Sequence, residues 1–364
     1  MRATGAHVTL EGSIMRRMLS LAILLPVTAV ILAAMVYVVG VERTLAAVRA
    51  AGPLAFVGVG ALTAAHVLLQ AAAWMALNQP IKHRVRFRTV LAATTVGLAG
   101  NILTPSTFLG GEPLKVLYVG RRGHLPYHEV AGSVLLSKYL EAISFILFFG
   151  FCTAVAAVYY RDLLFGPYLA GGITLVVLAG TLLVLCGVLW RALALRHRPL
   201  AALVGLLGRV RPLRRRMARL RERTRQMEEQ VSRVFCEEGG ASWSAFGALV
   251  LTHVAILLKP VAFFCIGTQL HLGLGPLSLI FVVAQALLAF QFTPAGAGTL
   301  DGGLLGTFAL VGLGQGQAMA YLLCLRLWDA TVVGVGAFLA ARVGARLLGS
   351  KEEPPVPAGG CSGG

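Results

Sequence analysis

Long apolar segments constrain the fold of this chain more than any other feature of its sequence. Three of these segments contain no Asp, Glu, Lys or Arg: Leu19–Gly40, Leu54–Leu77 and Leu163–Trp190. Three others are as long but carry charge within the apolar run: Val130–Tyr160, Phe246–Leu270 and Gln317–Ala341. Each reaches the roughly 20 residues with which a helix crosses the hydrocarbon core of a bilayer. The sequence therefore predicts an all-α polytopic membrane protein with about six full transmembrane helices.

The composition excludes an ordinary soluble domain. Hydrophobic residues make up 57% of the chain and charged residues only 13%, and the mean hydropathy is +0.79. A soluble protein of this length needs far more polar surface.

Two further apolar segments are interrupted by helix-breaking residues. Val90–Leu117 contains Pro105 and a pair of glycines, and Leu277–Leu313 contains Pro294 and a run of glycines. Broken helices persist at membrane depth only where protein or a polar cavity satisfies their backbone. We expect both segments to form re-entrant helical hairpins, near residues 90–117 and 277–313.

A pattern of proline, carboxylate and cation occurs twice along the chain. Glu112 follows seven residues after Pro105, and Asp301 follows seven residues after Pro294. A cation comes 33 residues after the first proline and 32 after the second, with another carboxylate three residues later: Lys138 with Glu141, and Arg326 with Asp329. This duplication is typical of transporters that are built from two repeats around a site at the membrane midplane.

The positive charge indicates how the segments are oriented. The net charge of +17 is concentrated in four places: Arg16-Arg17, Lys82–Arg88, Arg121-Arg122 and Arg191–Arg225. By the positive-inside rule these segments face the cytoplasm, which gives two repeats of opposite orientation with both termini inside. The partner of this charge is then the anionic inner leaflet rather than nucleic acid.

The predicted domains follow from this topology. Residues 1–160 form the first membrane repeat and residues 161–348 the second. A basic, amphipathic cytoplasmic linker at residues 191–240 interrupts the second repeat, and residues 349–364 form a disordered tail. The linker either recognises lipid or is a solvated connector that enforces topology.

Seven polar residues in the broken segments and the charged helices are candidates for binding substrate: Asn101, Glu112, Lys138, Glu141, Asp301, Arg326 and Asp329. A charge at the centre of a membrane helix costs roughly 2.5–3.5 kcal/mol, so these side chains should face the protein interior or a wet cavity. In the alternative interpretation, each i, i+3 pair neutralises itself and the two hairpin carboxylates cap their helices.

A cytoplasmic basic patch is the second candidate site. Its residues would gather anionic headgroups at a portal, or act only as a topology signal: Lys82, Arg84, Arg86, Arg88, Arg121 and Arg122. Lys259 has no carboxylate on its own helix, so it either pairs with another element or snorkels to an interface. His66 and His253 are expected to be hydrogen-bonded packing residues.

Motifs of enzymes and nucleotide-binding modules are absent from the sequence. It contains no HExxH, GxSxG, CxxC or Walker loop. We therefore expect no enzyme activity, no cofactor, no metal site and no direct use of ATP by this chain.

The residues quoted above resemble those of a known family. The segment from Asn101 to Glu141, together with Asp301 and Arg326, is similar to the lysylphosphatidylglycerol synthase transmembrane region, a flippase-like family. Lys138 stands where that family usually has arginine, and Asp301 where it usually has glutamate, so both charges are kept. The larger bacterial members carry a soluble aminoacyl-transferase domain, whereas this sequence ends in a short tail. The resemblance therefore implies lipid translocation or binding without aminoacylation.

The function predicted from the sequence is that of a flippase-like lipid transporter in a bacterial inner (plasma) membrane. It would move or present an anionic or polyprenyl-linked lipid through a central charged cavity. Three alternatives stay open at this point: a non-catalytic partner of a separate lipid-modifying or glycosyl transferase, a small-solute secondary transporter, and a membrane enzyme acting on a lipid.

Overall fold

The protein is helical throughout the part of the chain that the structure describes. A computed structural model describes residues 29–77, 84–104, 110–123, 125–164, 166–194, 239–267, 271–289 and 296–349, and these ranges contain no strand. The helices are α1 (Ala29–Val39), α2 (Val41–Leu77), α3 (Phe87–Leu103), α4 (Glu112–Gly123), α5 (Tyr127–Tyr159), α6 (Arg161–Leu164), α7 (Leu169–Ala194), α8 (Gly239–Leu257), α9 (Lys259–Gly267), α10 (Leu274–Ala289), α11 (Thr299–Leu310) and α12 (Gln315–Gly349). Lys82, Pro105, Pro294, most of the basic linker and the tail lie outside the described residues.

Five spans confirm the prediction of an all-α polytopic membrane protein. Five helical segments in the described residues are long and apolar enough to cross a membrane: Val41–Leu77, Glu129–Tyr159, Leu169–Val188, Trp243–Cys265 and Gln315–Val343. They correspond to five of the six predicted spans. The sixth, Leu19–Gly40, lies largely outside the described residues, and its described part is α1.

Helix α2 begins earlier than the apolar pattern predicts. It starts at Val41 rather than Leu54 and bends at Gly52, whose φ of +69° lies in the left-handed region. Glycine adopts this conformation without steric cost, and Pro53 follows it directly. Glu42, Arg43 and Arg49 interrupt the apolar pattern before Leu54, so the uncharged run does not include this first arm.

The two broken segments form helix pairs that are too short to cross the membrane singly. Helices α3 and α4 contain 17 and 12 residues, and α10 and α11 contain 16 and 12. At 1.5 Å per residue none of them exceeds about 26 Å, against a hydrocarbon core of about 30 Å. Within each segment the two helices pack against one another.

The two halves of the chain make equivalent helix contacts. Helix α3 of the first half packs against α12 of the second, and α10 of the second packs against α5 of the first. Likewise α2 contacts α12, and α8 contacts α5. The charged helices α5 and α12 therefore each contact both halves of the chain.

Candidate functional site in the membrane core

Four charged residues meet in the first half, and we call them the first charge cluster: Glu112, Lys115, Lys138 and Glu141. The Lys138 Nζ lies 3.1 Å from Glu112 Oε1 and 2.9 Å from Glu141 Oε2. The Lys115 Nζ lies 3.3 Å from the second oxygen of Glu112. Two lysines face two glutamates, so the cluster is electrically neutral. Helices α4 and α5 supply the four side chains, and each cation has a direct carboxylate partner.

An amide from a third helix completes the first charge cluster. The Gln70 Nε2 on α2 donates a hydrogen bond of 3.2 Å to Glu141 Oε1. Glu112 is 9% exposed, and neither of its carboxylate oxygens accepts a well-directed hydrogen bond from the described residues. Ion pairing with the two lysines therefore compensates the buried charge of Glu112.

The second half carries a corresponding second charge cluster, formed by Asp301, Arg326 and Asp329. The Arg326 Nη2 and Nε both donate to Asp301 Oδ1, at 2.7 and 3.2 Å, and its Nη1 donates to Asp329 Oδ2 at 3.3 Å. The other oxygen of Asp301 accepts the Gly298 N–H at 3.2 Å, which caps α11. Asp301 is only 1% exposed, so it is both a helix cap and an ion-pair partner.

A cavity of about 210 Å³ opens beside the second charge cluster. Its polar lining residues come from α9, α10 and α12: Lys259, Gln285, Tyr321 and Asp329. Most of the remaining wall is aliphatic, and Ile102 at the end of α3 contributes from the first half. The cavity therefore combines apolar walls with a small group of polar side chains, as ligand pockets do.

Two histidines lie near the charge clusters. His66 on α2 interacts electrostatically with both Glu141 of the first cluster and Lys259 of the cavity wall. His253 on α8 shares a 3.1 Å hydrogen bond with the Ser144 hydroxyl, as expected for a packing histidine. The Nδ1 of His66 has no hydrogen-bond partner among the described residues, whereas the ring interacts with the backbone of Thr252 on α8.

The predicted substrate residues occupy three kinds of position. The i, i+3 pairs of α5 and α12 form as their spacing predicts, and each is joined by one further carboxylate, Glu112 at the start of α4 or Asp301 in the first turn of α11. Asn101 instead accepts the Gly111 N–H through Oδ1 at 2.6 Å, which ties the end of α3 to the start of α4. Of the seven residues, Asp329 lines the cavity and the other six do not. Their roles in binding substrate stay predictions.

Lys115 was missed from the sequence, and Lys259 was not assigned to a site. Lys115 stands three residues after Glu112, so the same i, i+3 rule that singled out Lys138 and Glu141 also indicates this pair. Lys259 was expected to pair with another element or to reach an interface, and the structure places it in the cavity wall. No signal in the sequence marks the cavity itself.

The described arginines of the basic patch are exposed and come from two neighbouring segments. Val85, within the first basic segment, is the nearest neighbour of Gly123 at the end of α4, so this segment and the arginine pair of α4 lie together. Arg84 reaches Glu129 at 4.0 Å, and all five described arginines are exposed: Arg84, Arg86, Arg88, Arg121 and Arg122. Arg121 and Arg122 end α4, where cations interact favourably with the helix dipole.

Comparison with known proteins agrees with this architecture. The family model described as the lysylphosphatidylglycerol synthase TM region matches residues 17–336. A UPF0104 membrane protein of Methanothermobacter thermautotrophicus is 23% identical over 325 residues, which cover 87% of this chain and 94% of that protein. No solved structure matches the chain significantly.

Proposed function

Because this chain belongs to the lysylphosphatidylglycerol synthase transmembrane region family, we propose that it moves or presents an amphipathic lipid between the leaflets of the plasma membrane. The lipid headgroup would enter the polar interior while its acyl chains stay in the bilayer. The substrate class that suits this interior is an anionic or polyprenyl-linked lipid. The protein would act as a carrier rather than an enzyme.

The observation that carries this proposal is the presence of two charge clusters among the helices, the second of which borders a cavity. All seven ionic side chains of these clusters lie on α5 and α12, which contact both halves, or on the short helices α4 and α11. Ionisable groups at membrane depth are expensive to bury and are commonly found along substrate pathways. A polar interior of this kind supports passage of a headgroup that cannot cross hydrocarbon.

The matching contacts of the two halves support a rocking mechanism. We infer that residues 1–160 and 161–348 are inverted repeats, with both termini in the cytoplasm and re-entrant hairpins near 90–117 and 277–313. Motion of one repeat against the other would open the interior to each leaflet in turn. The exposed basic patch would raise the local concentration of anionic lipid at the cytoplasmic side.

The test is leaflet exchange of fluorescent lipids in vesicles that contain the purified protein. Anionic, zwitterionic and polyprenyl-linked lipids are compared, with protein-free vesicles as background. We expect protein-dependent exchange that falls at least 10-fold in Glu112→Gln and in Asp301→Asn, because each leaves a buried cation short of a partner. Glu42→Gln removes an exposed carboxylate at the start of α2 and is the matched control.

Three outcomes would contradict the proposal. Exchange at the background rate for every headgroup would show that the protein alone does not transport lipid. It would favour a role as a partner subunit of a separate transferase. Equal exchange by the wild type and by both Glu112→Gln and Asp301→Asn would show that the charge clusters do not lie on the lipid pathway. Chemical conversion of the lipid by the purified protein would establish an enzyme instead.

A further inference from the structure

We propose that the cavity beside the second charge cluster binds the singly charged phosphodiester of the lipid headgroup through the Lys259 ammonium group. This inference rests on the proposed function, since it names the class of substrate and the position of its charged group. It assigns a role to Lys259, which belongs neither to the Lys138–Glu141 pair nor to the Arg326–Asp329 pair.

Lys259 differs from the other buried cations in lacking a direct partner. Lys115, Lys138 and Arg326 each lie within 3.3 Å of a carboxylate oxygen. Among the described residues, Lys259 makes no hydrogen bond and no ion pair within 4.0 Å, and it interacts with Asp329 only at longer range. It nevertheless lines the cavity, so an anion inside the cavity can reach its ammonium group.

The carboxylates near Lys259 are already occupied. Asp329 pairs with Arg326 at 3.3 Å, and Asp301 binds the same guanidinium at 2.7 Å. Arg326 thus forms ion pairs with two carboxylates, whereas Lys259 forms a direct ion pair with neither. A cation at membrane depth is costly without a partner, and a bound anion would supply the missing direct partner.

The two halves place their second cation differently, and this difference creates the site. Gln70 precedes Glu112 by 42 residues, and Lys259 precedes Asp301 by the same number. Gln70 is neutral and donates to Glu141, which closes the first cluster. Three residues after the hairpin carboxylate, the first half has Lys115 and the second has Leu304, which lines the cavity. The second half therefore carries its second cation, Lys259, on α9 rather than on α11, and this lysine faces the largely apolar cavity.

Lys259 directly follows a one-residue break, at Leu258, between the two helices of the span Trp243–Cys265, and helical hydrogen bonds continue on both sides of it. Helix α8 ends at Leu257, and α9 begins at Lys259 itself. Pro260 follows and lacks the N–H that would bond to the Ile256 carbonyl. Ile256, Lys259 and Pro260 all line the cavity, so the break shapes its wall.

The size and charge of the cavity define the ligand class. Its 210 Å³ is less than the roughly 300–1,000 Å³ of pockets for drug-sized ligands, so it suits a headgroup rather than a whole lipid. Lys259, Arg326, Asp301 and Asp329 have charges that sum to zero when all are ionised. A bound anion therefore gives the site a net negative charge. The imbalance is smaller for a phosphodiester, which has one negative charge, than for a phosphomonoester, which has two.

The test is calorimetric titration of the purified full-length protein, in a non-ionic detergent, with dioctanoyl phosphatidylglycerol. Dioctanoylglycerol tests the chains without the phosphodiester, and inorganic phosphate tests a free anion. We expect the wild type to bind the phospholipid at least 10-fold more tightly than either control. Lys259→Gln, which copies Gln70 of the first half, should weaken binding at least 10-fold, and Lys259→Arg should stay within about 3-fold of the wild type.

Further variants separate binding from folding. Arg342→Gln removes an exposed cation that stacks on Phe338, and it should leave binding unchanged. Because Lys259 makes no direct ion pair, Lys259→Gln should unfold at the same temperature as the wild type or a higher one. If Lys259→Gln does not fold, Lys259→Met replaces it in the same titration.

Each contrary result has a defined meaning. Equal binding by the wild type and the neutral Lys259 variant would overturn the assignment, as would absence of phospholipid binding. Inorganic phosphate bound as tightly as the phospholipid would assign the site to a free anion and overturn the lipid assignment. Leaflet exchange without binding at Lys259 would contradict only this inference, whereas binding without exchange would contradict only the transport proposal.

Discussion

At the residue scale, buried charge in this protein is tolerated because nearly every ionic group has a direct partner. The first charge cluster pairs two lysines with two glutamates, and Glu112 stands between Lys115 and Lys138. Removing one member of a buried ionic group leaves an uncompensated charge, which typically costs 3–5 kcal/mol. Exposed ion pairs contribute about 0–1 kcal/mol because water screens them.

This contrast predicts a coupled effect of substitutions at Glu112 and Lys115. Glu112→Gln leaves two lysines with one glutamate and should lower the free energy of unfolding by about 3–5 kcal/mol. Adding Lys115→Met restores neutrality and keeps the packing of the lysine stem on Gly97, so the double variant should be more stable than the single one. Thermal unfolding of the purified proteins in detergent measures the coupling.

Glu129→Gln is the control for this cycle. It removes the half-buried partner of the exposed Arg84, 4.0 Å away, and should change the stability by less than about 1 kcal/mol. A double variant that is no more stable than Glu112→Gln alone would show that Lys115 and Glu112 are not coupled.

At the scale of the element, close backbone approach holds the α3–α4 pair together. A Cβ added at Gly111 would overlap the Gly97 carbonyl oxygen of α3. The Gly111 N–H also donates to Asn101, so one residue brings the start of α4 against two sites on α3. This packing positions Glu112, the next residue, against the lysines of the first charge cluster.

We therefore predict that Gly111→Ala disrupts the first helix pair. Overpacking of this kind typically costs 1–3 kcal/mol, and displacement of Glu112 should add to the loss. Gly302→Ala is a matched control in α11, because a Cβ at Gly302 meets nothing within 4 Å. It should be neutral or stabilise by up to about 1 kcal/mol, as expected for alanine in a helix. Equal unfolding temperatures for the two variants would argue against the close approach.

At the scale of the whole molecule, contacts between the halves determine where the charges meet. Trp328 on α12 donates its Nε1–H to the Phe56 carbonyl of α2 at 2.9 Å, and its ring covers Gly60. A Cβ added at Gly336 of α12 would lie 2.5 Å from the Ala99 Cβ of α3. Small residues therefore let α12 approach the helices of the first half closely, as in other membrane bundles.

The rocking mechanism predicts that a cross-link at this contact inhibits exchange. In a background without the native cysteines, Ala99→Cys combined with Gly336→Cys should form a disulfide after a small separation of the helices. Oxidation should lower leaflet exchange at least 10-fold, and a reductant should restore it. The measurement is the exchange assay on the same vesicles before and after reduction.

A cross-link within one half is the control. Val85 and Gly123 both belong to the first half and face each other, with a Cβ at Gly123 lying 3.1 Å from Val85 Cγ2. The corresponding cysteine pair should cross-link without slowing exchange. Full exchange through the oxidised Ala99–Gly336 pair would contradict motion of one half against the other.

The sequence by itself determined the class of protein and the local pairing of charge. Apolar length predicts membrane helices, and helical spacing places Lys138 beside Glu141 and Arg326 beside Asp329, because both properties depend on near neighbours along one helix. Tertiary structure decided which groups from separate helices meet: Gln70 with Glu141, and Lys259 with the cavity shared by Asp329. These contacts depend on which helix faces pack together, and spacing along the chain does not specify that.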